Sequence, residues 1–144
     1  MTPKSRPATR PEDAPRHQQR ERALSLLYEA ELKGEGPLHV VDELPVPPDP
    51  FVRQLLERAV ATRDEADRRI AAASVAWPLE RMAVIDRLVL RLGVAELLDP
   101  SGPPVAVVID EAVELAKAYS TEESGGFVNG ILSTIAADVR APPR

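Results

Sequence analysis

Cysteine is absent from all 144 residues. Disulfides, thiolate nucleophiles and cysteine-based zinc sites are thereby excluded together. Aromatic residues make up only 3 % of the chain, so a core must be built mostly from Leu, Ile, Val and Ala. No apolar run approaches the roughly 20 residues that a bilayer-spanning helix needs. The N-terminus carries no apolar signal core. The expectation is an intracellular, cytoplasmic protein with no membrane partner. Histidine occurs only as His17 and His39. The first sits at a helix start in a basic segment and the second in a proline-rich loop. Neither has a sequence neighbour at metal-site or triad spacing, and both read as surface residues. Asp110–Glu111 and Glu122–Glu123 are adjacent acids, which point to different helix faces. Gly125–Gly126 lacks the lysine and the spacing of a phosphate loop. No catalytic residue, metal ligand or cofactor is expected, and the chain reads as a non-enzyme.

What is present is ordinary for a soluble globular domain: 44 % hydrophobic and 28 % charged residues. The length suits one domain with a sizeable core. The net charge of −5 is unevenly distributed. Residues 1–22 hold six basic groups (Lys4, Arg6, Arg10, Arg16, Arg20, Arg22) against three acidic ones, leaving +3 there and −8 in the remainder. A basic arm on an acidic body is one way to contact nucleic acid. A solvated tail with no specific role fits the same charges.

Pro3, Pro7, Pro11 and Pro15 with few apolar neighbours make residues 1–15 a disordered arm. A helix is expected from Arg16 to Lys33, burying Ala23, Leu24, Leu27, Tyr28 and Ala30 and stopping at Gly34. Residues 34–48 hold two glycines and four prolines and read as a loop. Asp49 before Pro50 is a helix start, an N-cap oxygen followed by a residue with no N–H to satisfy. That helix is expected to run to about Val75. Pro78 marks a turn. Leu79–Leu98 reads as helix broken near Arg81–Val84, with Met82, Ile85, Leu88, Val89, Leu92 and Ala95 as its stripe. Asp99–Pro104 is a loop. Helices over Val105–Tyr119 and Gly126–Val139 follow, and Ala141–Arg144 should fray. No stretch shows the two-residue alternation of a half-buried strand. The expected fold is all-α, a compact bundle of about six or seven helices forming a single domain over 16–140.

Two places carry candidate chemistry. At 100° per residue, Arg16 and Arg20 fall within about 40° of the line through Ala23 and Leu27. The apolar stripe thus becomes basic toward the N-terminus, placing two guanidiniums just beyond the core, where a planar fork suits phosphate. Pairing with Glu21 or capping of the bundle is the competing role. Ser120 and Glu123 have the spacing of a capping box. Tyr119, Glu123 and Phe127 are four apart across the same turn. On one face they could stack on splayed bases and accept a base amino group; packing in the core is the alternative. Asn129–Gly130 reads as structural, with Gly130 permitting close helix approach.

The literal string Glu111–Leu132, EAVELAKAYSTEESGGFVNGIL, resembles the C-terminal signature of the NusB family of transcription antitermination factors. Arg20–Leu32 (RERALSLLYEAEL) and Asp86–Leu97 (DRLVLRLGVAEL) support the resemblance, which spans roughly Arg16–Val139. The resemblance implies an all-helical fold in two small antiparallel subbundles. It implies binding to the boxA element of ribosomal RNA leader transcripts together with NusE, a small-subunit ribosomal protein, within the RNA polymerase antitermination complex. Arg16 and Arg20 fall where the family's arginine-rich arm begins the first helix. Tyr28, Tyr119, Glu123 and Phe127 fall on aromatic and acidic RNA-proximal positions, and Asp86 on an acidic position near RNA and NusE. The chain departs from the family with His17, Gln18 and Gln19 in place of a denser arginine run, and with Gly126 where lysine is common. Two other readings accompany this one. A protein-only module, a homodimer that covers the RNA arm, fits the family. A NusB-like domain of an rRNA methyltransferase is disfavoured by the missing glycine-rich cofactor turn and cysteine nucleophile.

Overall fold

The computed structural model describes residues 14–140, so the expected arm up to residue 13 and the tail 141–144 lie outside the described residues. Seven α-helices follow one another: α1 (Ala14–Lys33), α2 (Pro37–Asp42), α3 (Pro50–Ala61), α4 (Arg63–Ala73), α5 (Val84–Leu97), α6 (Val105–Tyr119) and α7 (Glu122–Val139). A single 3-10 turn covers Leu79–Arg81, and the described residues contain no strand. The all-α expectation holds.

Most boundaries follow from local chemistry. α1 begins two residues earlier than expected, with Pro15 in the first turn where its missing N–H costs nothing. It stops at Gly34, whose φ of +66° closes the end. The Glu35 N–H reaches back to the Ala30 carbonyl at 3.0 Å, the longer bond of a Schellman stop. Asp49 caps α3 as expected, its side chain accepting from the Phe51 N–H at 2.8 Å.

Three expectations need correction. The loop over 34–48 contains α2, started by Pro37 and held by burial of Val40 and Val41. The long helix from Pro50 to Val75 is split at Thr62. Its hydroxyl and its N–H both donate to the Arg58 carbonyl, at 2.8 and 2.9 Å, a back-bond of the kind that bends helices. The capping box is shifted by one residue. Thr121 is the N-cap of α7 and Ser124 its reciprocal partner, so Gly125 and Gly126 lie inside the helix and Glu123 caps nothing.

α5 is the centre of the molecule. Every residue from Leu88 to Leu97 is buried, so the single expected stripe is in fact burial on all sides. α5 packs against α1 and α3 on one flank and against α4, α6 and α7 on the other. α1, α2 and α3 pack mutually, as do α6 and α7. Gly93 makes the α5–α7 approach possible, since a Cβ there would lie 2.8 Å from Cδ1 of the fully buried Leu132. Gly130, expected to play that part, has open space beside it.

Two arginine–carboxylate forks, one buried and one half-buried, tie the flanks to this centre. Arg20 of α1 donates through Nε and Nη2 to both Glu96 oxygens, each at 2.9 Å. Arg91 of α5 donates to both Asp67 oxygens of α4 at 2.8 and 3.1 Å. At the end of α5, Arg140 donates to the carbonyls of Leu97, Glu96, Asp99 and Pro103. This closes the loop into α6 and gives the Leu97 carbonyl at the helix end a donor.

Candidate nucleic-acid interface

Five of the seven expected site residues fall into two groups: Arg16 and Arg20, and Asp86, Glu123 and Phe127. At the start of α1, Arg16 is exposed and its guanidinium lies 4.0 Å from the Phe51 ring centroid. Its Nη1 also donates to Gln19 at 2.7 Å. The head is thus held in one place while still facing solvent. Arg20 differs: it is 6 % exposed and forked onto Glu96. Both share the phase of the Ala23–Leu27 stripe, but Arg20 is one turn nearer it and meets Glu96 of α5, whereas Arg16 meets Phe51 at the edge. The expectation that both guanidiniums project beyond the core is therefore met by Arg16 and not by Arg20. Burial works to lower the Arg20 pKa, but the hydrogen bonds and charge of Glu96, with Glu111 farther off, outweigh it and hold the guanidinium above its ordinary range. Arg16, Arg20, Phe51, Arg58 and Asp99 line a cavity of about 870 Å³ between α1, α3 and the loop after α5.

His17 is not a surface residue. It is 3 % exposed, with Nδ1 2.8 Å from Glu111 and 3.6 Å from Glu114 of α6. Nε2 lies 3.9 Å from Glu21. Glu21 in turn accepts from the Tyr119 hydroxyl. The line His17–Glu21 on α1 is therefore a polar seam against α6. Its partners are 94 and 98 residues away in sequence, which is why spacing gave no hint. One nitrogen of His17 and one oxygen each of Glu111 and Glu114 lie within 4.8 Å of one another, a set that could ligate a metal. His39 is exposed, as expected, beside Glu43 and Glu35.

The second group lies at the start of α7. Asp86, Glu123 and Phe127 line one cleft of about 670 Å³, with Ser120, Thr121 and Ser124. Trp77, Arg81 and Met82 form its other wall. Glu123 and Phe127 share a face of α7, whereas Tyr119 belongs to α6, because the chain turns at Ser120 and Thr121. Asp86 is only 9 % exposed. Its Oδ2 accepts from the Ser124 hydroxyl at 3.0 Å, while Oδ1 has no hydrogen-bond partner among the described residues. The Ser124 hydroxyl has one proton, so while it is given to Asp86 the neighbouring Ser120 hydroxyl at 3.1 Å cannot receive it. Tyr28 joins neither group and is half-buried against the core.

Sequence reasoning passed over Phe51 and Trp77. Phe51 follows a capped Asp-Pro start and looked like ordinary helix. Trp77 precedes a proline and looked like turn. In a chain with so few aromatics, one of them standing next to proline in a connector was the available signal.

The family model for the NusB family matches residues 17–137. The transcription antitermination protein NusB of Streptomyces griseus subsp. griseus is 41 % identical over 129 residues, covering 83 % of this chain and 90 % of that protein. Its counterpart in Sorangium cellulosum is 45 % identical over 126 residues, covering 83 % and 90 %. Among solved structures, T. maritima NusB is 36 % identical with a TM-score of 0.77, covering 85 % of this chain and 91 % of that one. A structure of the antitermination factors NusB and NusE in complex with dsRNA is 32 % identical with a TM-score of 0.72, covering 85 % and 96 %.

Proposed function

This chain belongs to the NusB family of transcription antitermination factors, and from that premise we propose that it works as an RNA-binding adaptor. It holds the boxA element of ribosomal RNA leader transcripts together with NusE and supports processive transcription by RNA polymerase in the cytoplasm. The action is binding: no bond is made or broken. The observation that carries this reading is the likeness, over most of both chains, to a NusB solved with NusE and dsRNA.

The geometry supports a division of labour. Arg16 presents its cation to solvent from a rigid helix, and stacking on Phe51 limits the freedom it would lose on meeting a phosphate. Arg20 stands behind it as a support, fixing α1 to α5 through Glu96. Asp86, Glu123 and Phe127 offer acceptors and an aromatic surface at the second group. Tyr119 positions the α1–α6 seam through Glu21. Tyr28 contributes through its exposed part. His17, Gln18 and Gln19 stand where the family has a denser arginine run, so the remaining affinity comes either from Arg6 and Arg10 or from NusE.

A gel shift tests this with boxA RNA and a scrambled RNA, each with and without NusE. The expected result is a boxA complex that NusE strengthens and scrambling weakens. No boxA complex under either condition overturns the reading.

A further inference from the structure

Among the described residues, no ionisable side chain is more deeply buried than His17. It stands in the first turn of α1 and faces carboxylates on two helices. Its Nδ1 lies 2.8 Å from a Glu111 oxygen and 3.6 Å from a Glu114 oxygen, both on α6. One proton on that nitrogen serves Glu111, but 3.6 Å puts Glu114 beyond its hydrogen-bond reach. Glu111 and Glu114 are three apart on α6 and so share a face. With Glu21 they bring three carboxylates to a ring that carries at most one positive charge. Arg20, the neighbouring cation, is committed to Glu96.

A cation shared by these donors resolves the arrangement. One nitrogen of His17 and one oxygen of each α6 glutamate lie within 4.8 Å of one another. With zinc–ligand bonds of about 2.0–2.2 Å, tetrahedral ligand atoms stand roughly 3.3–3.6 Å apart. The observed 2.8 and 3.6 Å meet that spacing after small side-chain rotations. We propose that His17 Nδ1, Glu111 and Glu114 bind one divalent cation of the zinc class, with water completing its shell. The surroundings suit this. The other ring nitrogen, Nε2, faces Glu21 at 3.9 Å, and the Tyr119 hydroxyl holds Glu21 in place. A small shift closes that gap to a hydrogen bond, as outer-shell carboxylates orient metal-bound imidazoles. The Glu114 side chain is 33 % exposed, which gives the ion a way in. A set that includes an imidazole favours zinc-class ions over Mg²⁺ and Ca²⁺, which take oxygen ligands. Bound there, the ion pins the first turn of α1, beside Arg16, to α6. The inference does not depend on the RNA-binding reading.

The chain has only two histidines and no cysteine, which keeps the test simple. Exposed His39, beside Glu35 and Glu43, is a competing surface donor, and His39→Ala removes it. The full chain with that substitution is titrated with ZnCl₂ in chelator-free buffer. Binding is read by calorimetry and by ¹⁵N NMR of the His17 ring. The expected result is saturable one-to-one binding in which Nδ1 shifts as a metal-bound nitrogen and Nε2 keeps its proton. The same concentration of MgCl₂ should leave the ring unchanged. Adding Glu114→Gln preserves the His17–Glu111 contact, and with it the α1–α6 seam. It should nonetheless weaken zinc binding at least about tenfold, and Glu21→Gln by roughly 10- to 100-fold, the range for an outer-shell partner. Zinc should also raise the thermal midpoint in step with its concentration, and Glu114→Gln should remove most of that rise. No saturable zinc binding overturns the proposal. Binding that leaves His17 Nδ1 unshifted, or that survives Glu114→Gln at full strength, places the ion elsewhere and likewise overturns it. An equal shift of Nδ1 by MgCl₂ overturns the assigned class of ion.

Discussion

Arg16 and Arg20 are one helical turn apart and chemically identical, yet they stand in opposite surroundings. The difference gives two separable predictions. Arg20→Ala leaves Glu96 buried and unpaired, and should cost about 3–5 kcal/mol in urea unfolding. Replacing both, as Arg20→Met with Glu96→Leu, should recover most of that loss, because two matched apolar groups leave no stranded charge. A double variant as unstable as the single one would show that the fork is not the cause. Arg16→Ala removes an exposed head, and its stability should stay within about 0.5 kcal/mol of the parent. Its effect should appear in RNA binding alone. Asp86 is the third instructive residue: Ser124→Ala takes away its one hydrogen-bond donor among the described residues, and about 1–3 kcal/mol of stability should go with it in the same assay.

Among the helices, the turn between α6 and α7 distinguishes what the sequence shows from what it hides. Thr121→Ala should cost about 1 kcal/mol through loss of the cap, whereas Glu123→Ala should leave thermal unfolding nearly unchanged. The reverse order would restore the capping box read from Ser120 and Glu123. That shift by one residue is typical of the limits here. Periodicity located α1 and α6 closely, because their apolar stripes are long and their stops are chemical: Gly34 for α1, the Ser-Thr turn for α6. It could not see the break at Thr62, where the helix is interrupted while the hydroxyl bonds back to the Arg58 carbonyl. It could not see α2, whose six residues are too few to show a period. The site divides in the same way. Asp86, Glu123 and Phe127 were legible through the family string, and the structure brings them into one cleft. The burial of Arg20 and His17 was not legible, because Glu96 and Glu111 lie 76 and 94 residues away and only the fold brings them near.

At the scale of the whole molecule, both flanks share α5 as their core, so neither has a complete hydrophobic interior alone. Unfolding should therefore be a single cooperative transition. Helical circular dichroism and Trp77 fluorescence should give the same urea midpoint, and two separated midpoints would show that the flanks fold apart. The α1 start and the cleft beside Trp77 are carried on this one scaffold. The central claim is that a transcript's phosphates are held by cations at the leading end of α1. Its most direct measurement is the slope of log affinity for boxA RNA against log salt, for the parent and for Arg16→Ala. The slope should fall by about 0.7 for each phosphate that the variant no longer neutralises. Unchanged slope and unchanged affinity would contradict the account.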